Sequence, residues 1–202
     1  MDEIILILDF GSQYTQLIAR RVRELNVYCE IHPFSKVAHP DKRIKGVILS
    51  GSPCSVNDKE PPVPDLSLFK KQVPILGICY GAQYMALGEG GKISKSLHRE
   101  YGRANLETIS KTSDLLRNIT PGTQVWMSHG DTITWLPEKF EIIGSTRDVK
   151  VAAYKIKDEK TYGIQFHPEV YHTTEGLMVL KNFVTDICGC SQSWTPVSFV
   201  EN

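Results

Sequence analysis

A cysteine between two glycines is the first group in this sequence that could do chemistry. Cys79 is the centre of Gly-Ile-Cys-Tyr-Gly, residues 77–81, between the apolar run 74–78 and a helix-like run that ends at Gly88. Glycines on both sides permit a sharp strand-to-helix turn that exposes the side chain. The helix N-terminus then favours a thiolate. The pattern predicts a nucleophile, with a buried structural cysteine as the alternative.

A histidine with a nearby carboxylate is a candidate base for this nucleophile. His167 lies in Gln-Phe-His-Pro-Glu-Val, residues 165–170, directly after the strand-like run 162–166. In an extended chain Glu169, two residues further on, points to the same side as His167. The carboxylate would select the imidazole tautomer, as in a Cys/His/Glu triad. The alternative is an ordinary turn after a strand.

The remaining histidines are in less suggestive surroundings. His129 is predicted to be a structural histidine. Four others lie in polar or loop-like segments and are predicted to be solvated at the surface: His32, His39, His98 and His172.

Taken together, these segments resemble the class I (triad) glutamine amidotransferases. Residues 77–83 are similar to the nucleophile motif of that family, residues 166–169 to its second motif, and Ser-Gly-Ser-Pro at 50–53 to its oxyanion-loop motif. The motifs follow the family order and span nearly the whole chain. The resemblance implies that Cys79 attacks the side-chain amide carbon of glutamine. His167 would then protonate the departing ammonia, and Glu169 would orient His167.

The same resemblance implies the groups that stabilise and bind the substrate. The backbone N–H groups of Ser52 and Tyr80 would form the oxyanion hole. Ser52 stands where the family usually has a second glycine, and a positive φ is costly for serine, so we expect the hole to be unformed in the free domain. The glutamine backbone groups would be held by Gln83, Ser128, Gly130 and Asp131, with Asp131 facing the ammonium.

Other segments narrow the resemblance to one branch of the family. They are residues 9–14, 99–102, 127–131, 188–190 and 194–196. In that branch the synthetase half is an ATP pyrophosphatase that aminates a purine nucleotide, so the implied partners are L-glutamine and such a half in the same natural chain. ATP and Mg are expected for that half alone. The glycine-rich residues 88–91 lack the following Lys-Ser/Thr of a phosphate-binding loop, and no cofactor or metal is expected in this chain.

Composition argues against several other classes of protein, namely nucleic-acid-binding, membrane-binding, disulfide-rich and zinc-binding proteins. The chain has 202 residues, 41% hydrophobic and 23% charged, and a formal net charge of +0, which gives no electrostatic case for nucleic acid or an anionic membrane. Five cysteines with irregular spacing do not make a disulfide framework, and a cytoplasmic location is expected. Cys188 and Cys190 are too close in sequence for the usual zinc half-site.

Alternating aliphatic and amphipathic runs predict an α/β fold with a mainly parallel sheet flanked by helices. Beyond residue 92 the short β-branched runs indicate the rest of the sheet plus an antiparallel addition at its edge. A short helix is expected at 66–71, and a last helix at 174–188 capped by Thr173 or Thr174. Residues 1–190 are predicted to form the domain. Residues 191–202 would be a tail, either the junction to the synthetase half or a segment that packs back.

Three alternatives remain open at this point. One is an amidotransferase for another acceptor, such as chorismate or an imidazole precursor. The second is a non-catalytic regulatory module on the same fold, which a complete triad argues against. The third is a γ-glutamyl hydrolase.

Overall fold

The computed structural model describes residues 3–36 and 41–196, with the backbone alone described for residues 97–100. The strands are β1 (Ile4–Asp9), β2 (Cys29–Pro33), β3 (Ile44–Leu49), β4 (Ile75–Ile78), β5 (Lys92–Leu106), β6 (Thr108–Ile109), β7 (Thr123–Trp135), β8 (Phe140–Ser145), β9 (Ala153–Ile156) and β10 (Thr161–Ile164). The helices are α1 (Thr15–Glu24), α2 (Tyr80–Gly88) and α3 (Gly176–Lys181), which continues as the π-helical segment Asn182–Ile187.

Eight of these strands form one sheet in the order β2-β1-β3-β4-β10-β9-β8-β6. The first five run parallel, and β9, β8 and β6 are added antiparallel at one edge. The aliphatic run of β1 is buried from Ile4 to Leu8, because helices or loops cover both faces of the sheet. The predicted α/β class with a mainly parallel sheet is confirmed.

The helices lie on opposite faces of the sheet and build two halves of the core. On one face Ile18 and Val22 of α1 and Leu180 of α3 pack in one cluster with Ile5 and Ile7 of β1. On the other face, Tyr80 and Met85 of α2 pack with the alternate β1 residues Ile4, Leu6 and Leu8. This sandwich holds the carboxyl ends of β1, β3, β4 and β10 rigidly at one edge, where parallel sheets place their ligand sites.

The second half differs in part from the prediction. The sequence indicates the runs 92–97 and 104–109 as two separate short runs, within the rest of the sheet or its antiparallel addition. Instead β5 is a single strand that pairs antiparallel with β7 in a second, two-stranded sheet. A register irregularity between Lys95 and Glu100 interrupts the ladder, and Gly102 has a φ of 126°, which only glycine adopts readily. These features interrupt the alternation of apolar and polar residues that would indicate one long strand.

Two helix predictions were wrong in detail. In place of the helix predicted at 66–71, residues 67–72 form turns, because Lys71 has a φ of 62° and so ends the helical geometry after one turn. The last helix begins at Gly176 with Glu175 as its N-cap and without a side-chain cap. Thr173, one of the two predicted caps, uses its hydroxyl elsewhere, as described below.

The beginning of the predicted tail packs back on the domain. Ser191 donates through its N–H to Glu3 (2.7 Å), Gln192 through its side chain to the Leu25 carbonyl (2.9 Å), and the Trp194 N–H to the Asn26 carbonyl (2.9 Å). Residues 197–202 lie outside the described part of the chain, and the boundary at residue 190 stays a prediction. Among the described residues no helix is long and apolar enough to cross a membrane.

Candidate active site

Cys79 occupies a strained turn between β4 and α2. Its φ and ψ are 52° and −104°, a conformation that costs energy for a residue with a Cβ and is found mainly at functional sites. The flanking glycines make room for this turn. A Cβ on Gly77 would lie 2.6 Å from the Ala82 nitrogen, and one on Gly81 would lie 2.6 Å from the Leu49 Cβ. The Gly-x-Cys-x-Gly pattern is therefore a steric requirement of the turn.

The Cys79 thiol lies where three strands meet. Its backbone N–H donates to the Ile164 carbonyl at the end of β10 (2.8 Å), and its thiol contacts the Ser128 carbonyl of β7 (3.8 Å). The residue is 5% exposed. Tyr80 is the first residue of α2, so its N–H has no acceptor within the helix and is available beside the thiol.

His167 and Glu169 form a buried pair next to Cys79. The His167 Nδ1 atom lies 2.7 Å from the Glu169 Oε1 atom, and the two residues are 3% and 1% exposed. Burial alone would lower the pKa of His167, but the Glu169 carboxylate and the Cys79 thiol outweigh it and raise that pKa well above its usual value. The Glu169 carboxylate thus favours the protonated imidazole, with Nδ1 directed to the carboxylate.

The surroundings fix this pair on several sides. The edge of the Tyr14 ring contacts the His167 imidazole, with 5.2 Å between ring centroids, and the Arg21 side chain donates to the Glu169 carbonyl (3.2 Å). A Cβ on Gly51 would lie 3.3 Å from the His167 Cε1 atom and 3.8 Å from the Cys79 Cβ. The loop after β3 therefore passes directly over the side chains of Cys79 and His167.

A cleft of about 840 Å³ opens above Cys79 and His167. That volume is within the usual range of ligand pockets. It brings together every predicted oxyanion and substrate-binding residue with two members of the predicted triad: Ser52, Cys79, Tyr80, Gln83, Ser128, Gly130, Asp131 and His167. Glu169 lies behind His167 and does not line the cleft.

The Asp131 carboxylate is the acidic group that β7 presents to the cleft. Asp131 is 7% exposed. Its backbone carbonyl accepts a hydrogen bond from the Gln83 side chain (2.8 Å), and its Oδ2 atom accepts one from the Ser55 hydroxyl. Gln83 therefore holds the backbone of Asp131, and the Ser55 hydroxyl occupies its carboxylate.

The loop after β3 is held in one conformation by the Ser52 side chain. The Ser52 hydroxyl donates to the Phe10 carbonyl (3.0 Å) and accepts from the Cys54 N–H (3.1 Å). The described residues with positive φ include neither Gly51 nor Ser52. Both features agree with an oxyanion loop that has not flipped, although the role of Ser52 stays a prediction.

Two residues of the site escape sequence reasoning. Ser55 bonds Asp131, 76 positions away in sequence, and Lys95 of β5 lines the cleft opposite Asp131 in the ribbon register. Both depend on how the 50–65 loop and the β5–β7 ribbon fold over the sheet edge. Neither position carries a local pattern that could have revealed it.

The other histidines follow the prediction in part. His129 is 4% exposed and borders the cleft, and burial lowers its pKa to about 4, which favours the neutral imidazole. His172, predicted to be solvated, is half-buried and stacks on Trp126 at 4.6 Å. His32 is half-buried and bonds Glu30. His39 and the side chains of His98, Arg99 and Glu100 lie outside the described residues.

The described residues contain no group of three or more His, Cys, Asp or Glu side chains arranged to hold a metal ion.

A family model described as glutamine amidotransferase class-I matches residues 6–187. The chain belongs to the class-I glutamine amidotransferase family. The match spans the turn at Cys79, the His167–Glu169 segment and nearly all of both sheets. The family resemblance drawn from the motifs is confirmed.

Curated relatives of this amidotransferase are much longer proteins. It is 62% identical over 201 residues to the GMP synthase [glutamine-hydrolyzing] of Cytophaga hutchinsonii, and 59% identical over 201 residues to that of Phocaeicola vulgatus. These alignments cover all of this chain but only 40% and 39% of the relatives. The chain therefore spans about two fifths of the length of the GMP synthases that it matches, at their N-terminal part.

Solved structures share the fold. A Thermoplasma acidophilum protein whose name refers to GMP synthase superimposes with a TM-score of 0.79 at 28% identity, covering 100% of this chain and 97% of the other. A glutamine amidotransferase from Thermotoga maritima superimposes with a TM-score of 0.70 at 21% identity, over 95% of this chain and 87% of the other. The second likeness shows the fold alone.

Proposed function

We propose that this chain is a glutaminase domain that hydrolyses L-glutamine to glutamate and ammonia through a thioester on Cys79. The observation that carries the proposal is the position of Cys79 on a strained strand-to-helix turn, beside the buried His167–Glu169 pair and below a polar cleft. Strained backbone lowers stability and is found mainly at functional sites. The strain at Cys79 therefore argues against a non-catalytic module.

The first half of the reaction forms the thioester. The Cys79 thiolate attacks the side-chain amide carbon of glutamine, so that a C–S bond forms and the carbonyl oxygen becomes an oxyanion. The N–H groups of Tyr80 and, after a rearrangement of its loop, Ser52 stabilise this oxyanion. His167 then gives its proton to the amide nitrogen, the C–N bond breaks, and ammonia leaves.

The second half releases glutamate. His167, now neutral, takes a proton from a water molecule as the oxygen of that water attacks the thioester carbon. The C–S bond breaks, and the electron pair returns to Cys79 as a thiolate. His167 is protonated again, and Glu169 holds its Nδ1–H throughout, which keeps Nε2 directed at the reacting atoms.

Substrate recognition in this proposal uses the ribbon and α2. The Asp131 carboxylate takes the α-ammonium of glutamine in place of the Ser55 hydroxyl. Main-chain groups at Ser128 and Gly130 hold the remaining backbone atoms of the substrate, and Gln83 fixes Asp131 through its carbonyl.

We further propose that the ammonia serves an ATP pyrophosphatase half that aminates xanthosine monophosphate to GMP with ATP and Mg. The supporting fact is that relatives at 62% and 59% identity are GMP synthases of which this chain covers only 40% and 39%. This chain itself would need no cofactor or metal. Its five cysteines are free, which fits a cytoplasmic location.

The test is glutamate formation from glutamine by this chain and by Cys79→Ala. The assay is then repeated with the synthetase half of the Cytophaga hutchinsonii GMP synthase, ATP and xanthosine monophosphate. We expect strong stimulation that Cys79→Ala abolishes. Activity without stimulation would leave the glutaminase standing and count against this acceptor. Hydrolysis of γ-glutamyl peptides but not of glutamine, or no activity in either assay, would overturn the proposal.

A further inference from the structure

We infer, given the proposed function, that Thr173 is a positioning residue that holds His167 in register with Cys79. His167 lies beyond the end of β10, in a segment without helix or strand. Glu169 orients the imidazole ring of His167, but the position of the ring also depends on the position of the His167 backbone. Something outside the ring must therefore fix the His167 main chain.

The Thr173 hydroxyl joins that main chain to strand β7. It accepts a hydrogen bond from the Trp126 N–H (3.0 Å) and donates one to the His167 carbonyl. The His167 N–H in turn donates to the Trp126 carbonyl (3.0 Å). The main chains of Trp126 and His167 are thus joined twice, once by a direct hydrogen bond and once through the Thr173 hydroxyl. Thr173 is 6% exposed, so water does not readily replace this hydroxyl.

Strand β7 also positions the nucleophile, Cys79. The Cys79 thiol contacts the carbonyl of Ser128, which is two residues from Trp126 on the same strand. Residues two apart in a strand are separated by about 7 Å and face the same side. One short piece of β7 therefore sets the positions of both the Cys79 thiol and the His167 imidazole. Thr173 is the side chain that joins this piece of β7 to the main chain of His167.

Other bonds would keep this segment attached if the hydroxyl were removed. The Thr174 N–H donates to the Gln124 carbonyl (3.0 Å), and the Gln124 side chain donates to the His172 carbonyl (2.7 Å). The Arg21 bond to the Glu169 carbonyl is independent of the hydroxyl as well. Loss of the hydroxyl should hence displace His167 locally and leave the fold intact.

A displacement of this kind affects chemistry more than binding. A shift of about 1 Å in a reacting group can cost roughly a hundredfold in rate. Thr173 does not line the cleft, so its loss leaves the substrate contacts unchanged. The signature of a positioning role is therefore a lower kcat with KM nearly constant.

The experiment compares Thr173→Val, which keeps the shape without the hydroxyl, with Thr173→Ser, which restores the hydroxyl. The matched control is Thr174→Val, because Thr174 is exposed and, among the described residues, forms hydrogen bonds only through its backbone. We measure kcat and KM for glutamine, and the rate of Cys79 alkylation by iodoacetamide at pH 7, resolved by peptide mass spectrometry. The exposed Cys54 serves as internal reference.

We expect Thr173→Val to lower kcat by about ten- to a hundredfold with KM within about twofold, and to slow Cys79 alkylation relative to Cys54. Thr173→Ser should recover both quantities, and Thr174→Val should change neither. Wild-type kcat and alkylation in Thr173→Val would overturn the positioning role, as would a loss that Thr173→Ser fails to recover. A wild-type chain that makes no glutamate, while Cys79 alkylation still follows the hydroxyl, would overturn the proposed function and leave the positioning role standing.

Discussion

The Nδ1 atom of His167 lies 2.7 Å from the Oε1 atom of Glu169, and both side chains are almost completely buried. The second carboxylate oxygen, Oε2, has no hydrogen-bond partner among the described residues. This strong hydrogen bond, together with the edge contact of the Tyr14 ring, therefore holds the imidazole orientation. The consequences of removing the carboxylate charge can be worked out from this geometry.

Glu169→Gln should lower kcat/KM for glutamine by about a hundred- to ten-thousand-fold, because the imidazole loses its orienting charge. The residual activity should also have a different pH profile. Glu169 helps to raise the pKa of His167, so without it His167 loses its proton at lower pH, and the alkaline limb of kcat/KM moves down in pH. Profiles between pH 5 and 10 measure both effects, with the exposed Glu60→Gln as control. An alkaline limb that stays in place would contradict this assignment.

The same pair should contribute to stability in a pH-dependent way. The folded-state pKa of His167 exceeds the ordinary value of 6.5. The pair therefore stabilises the fold fully below about pH 6.5, and this contribution is lost as pH rises through the folded-state pKa. Urea unfolding of wild type and Glu169→Gln should show a larger difference in the free energy of unfolding at pH 6 than at pH 9. A difference that grows with pH would show that the pair is not charged in the folded state.

Much of this site could be predicted from the sequence, because its chemistry is concentrated in short segments. The turn glycines around Cys79 and the His-Pro-Glu segment carry their geometry in a few consecutive residues. The aliphatic run of β1 likewise indicates a strand covered on both faces. Such local patterns need no knowledge of distant parts of the chain, and the parallel sheet followed from them.

The features of the fold and the site that the sequence did not predict depend on contacts between segments far apart in the chain. Thr173 is a reasonable helix cap by sequence, yet its hydroxyl bonds Trp126 and His167, and α3 begins three residues later. Tertiary contacts override local capping preferences in such cases. The Ser55 contact to Asp131 likewise requires a loop from one half of the chain to meet a ribbon from the other.

Asp131→Asn should raise KM for glutamine by about ten- to a hundredfold, with kcat within a few-fold of wild type. A hydrogen bond to a charged group is worth about 1.5–3 kcal/mol, and the asparagine side chain keeps the shape of the site without the charge. Steady-state kinetics with glutamine measure this change, with the exposed Asp148→Asn as control. An unchanged KM would show that Asp131 does not bind the α-ammonium.

Ser55→Ala should act in the opposite direction. The Ser55 hydroxyl occupies the Asp131 carboxylate in the free protein, so in the proposed binding mode the substrate ammonium has to displace it. A neutral hydrogen bond contributes about 0.5–1.5 kcal/mol net, and its removal should lower KM about two- to tenfold. In the Asp131→Asn background the benefit should disappear, which makes the double variant the decisive comparison. Equal gains in both backgrounds would mean that Ser55 acts elsewhere.

Ser52→Gly should raise the basal glutaminase rate of the isolated chain. The Ser52 hydroxyl ties the loop to the Phe10 carbonyl and to the Cys54 N–H, and its Cβ makes a positive φ costly. Glycine removes both obstacles, so the loop can turn an N–H toward the oxyanion. One oxyanion donor is worth about a hundred- to a thousandfold in kcat, and we expect a gain of at least about tenfold from populating the flipped loop.

Ser52→Ala separates the two obstacles, because alanine removes the hydroxyl bonds but keeps the Cβ. If the hydroxyl bonds hold the loop, Ser52→Ala should recover most of the gain seen with glycine. If the steric cost of positive φ dominates, only Ser52→Gly should be faster. A basal kcat that is the same in wild type, Ser52→Ala and Ser52→Gly would mean that the loop already presents its donor in the free chain, or that Tyr80 alone carries the oxyanion.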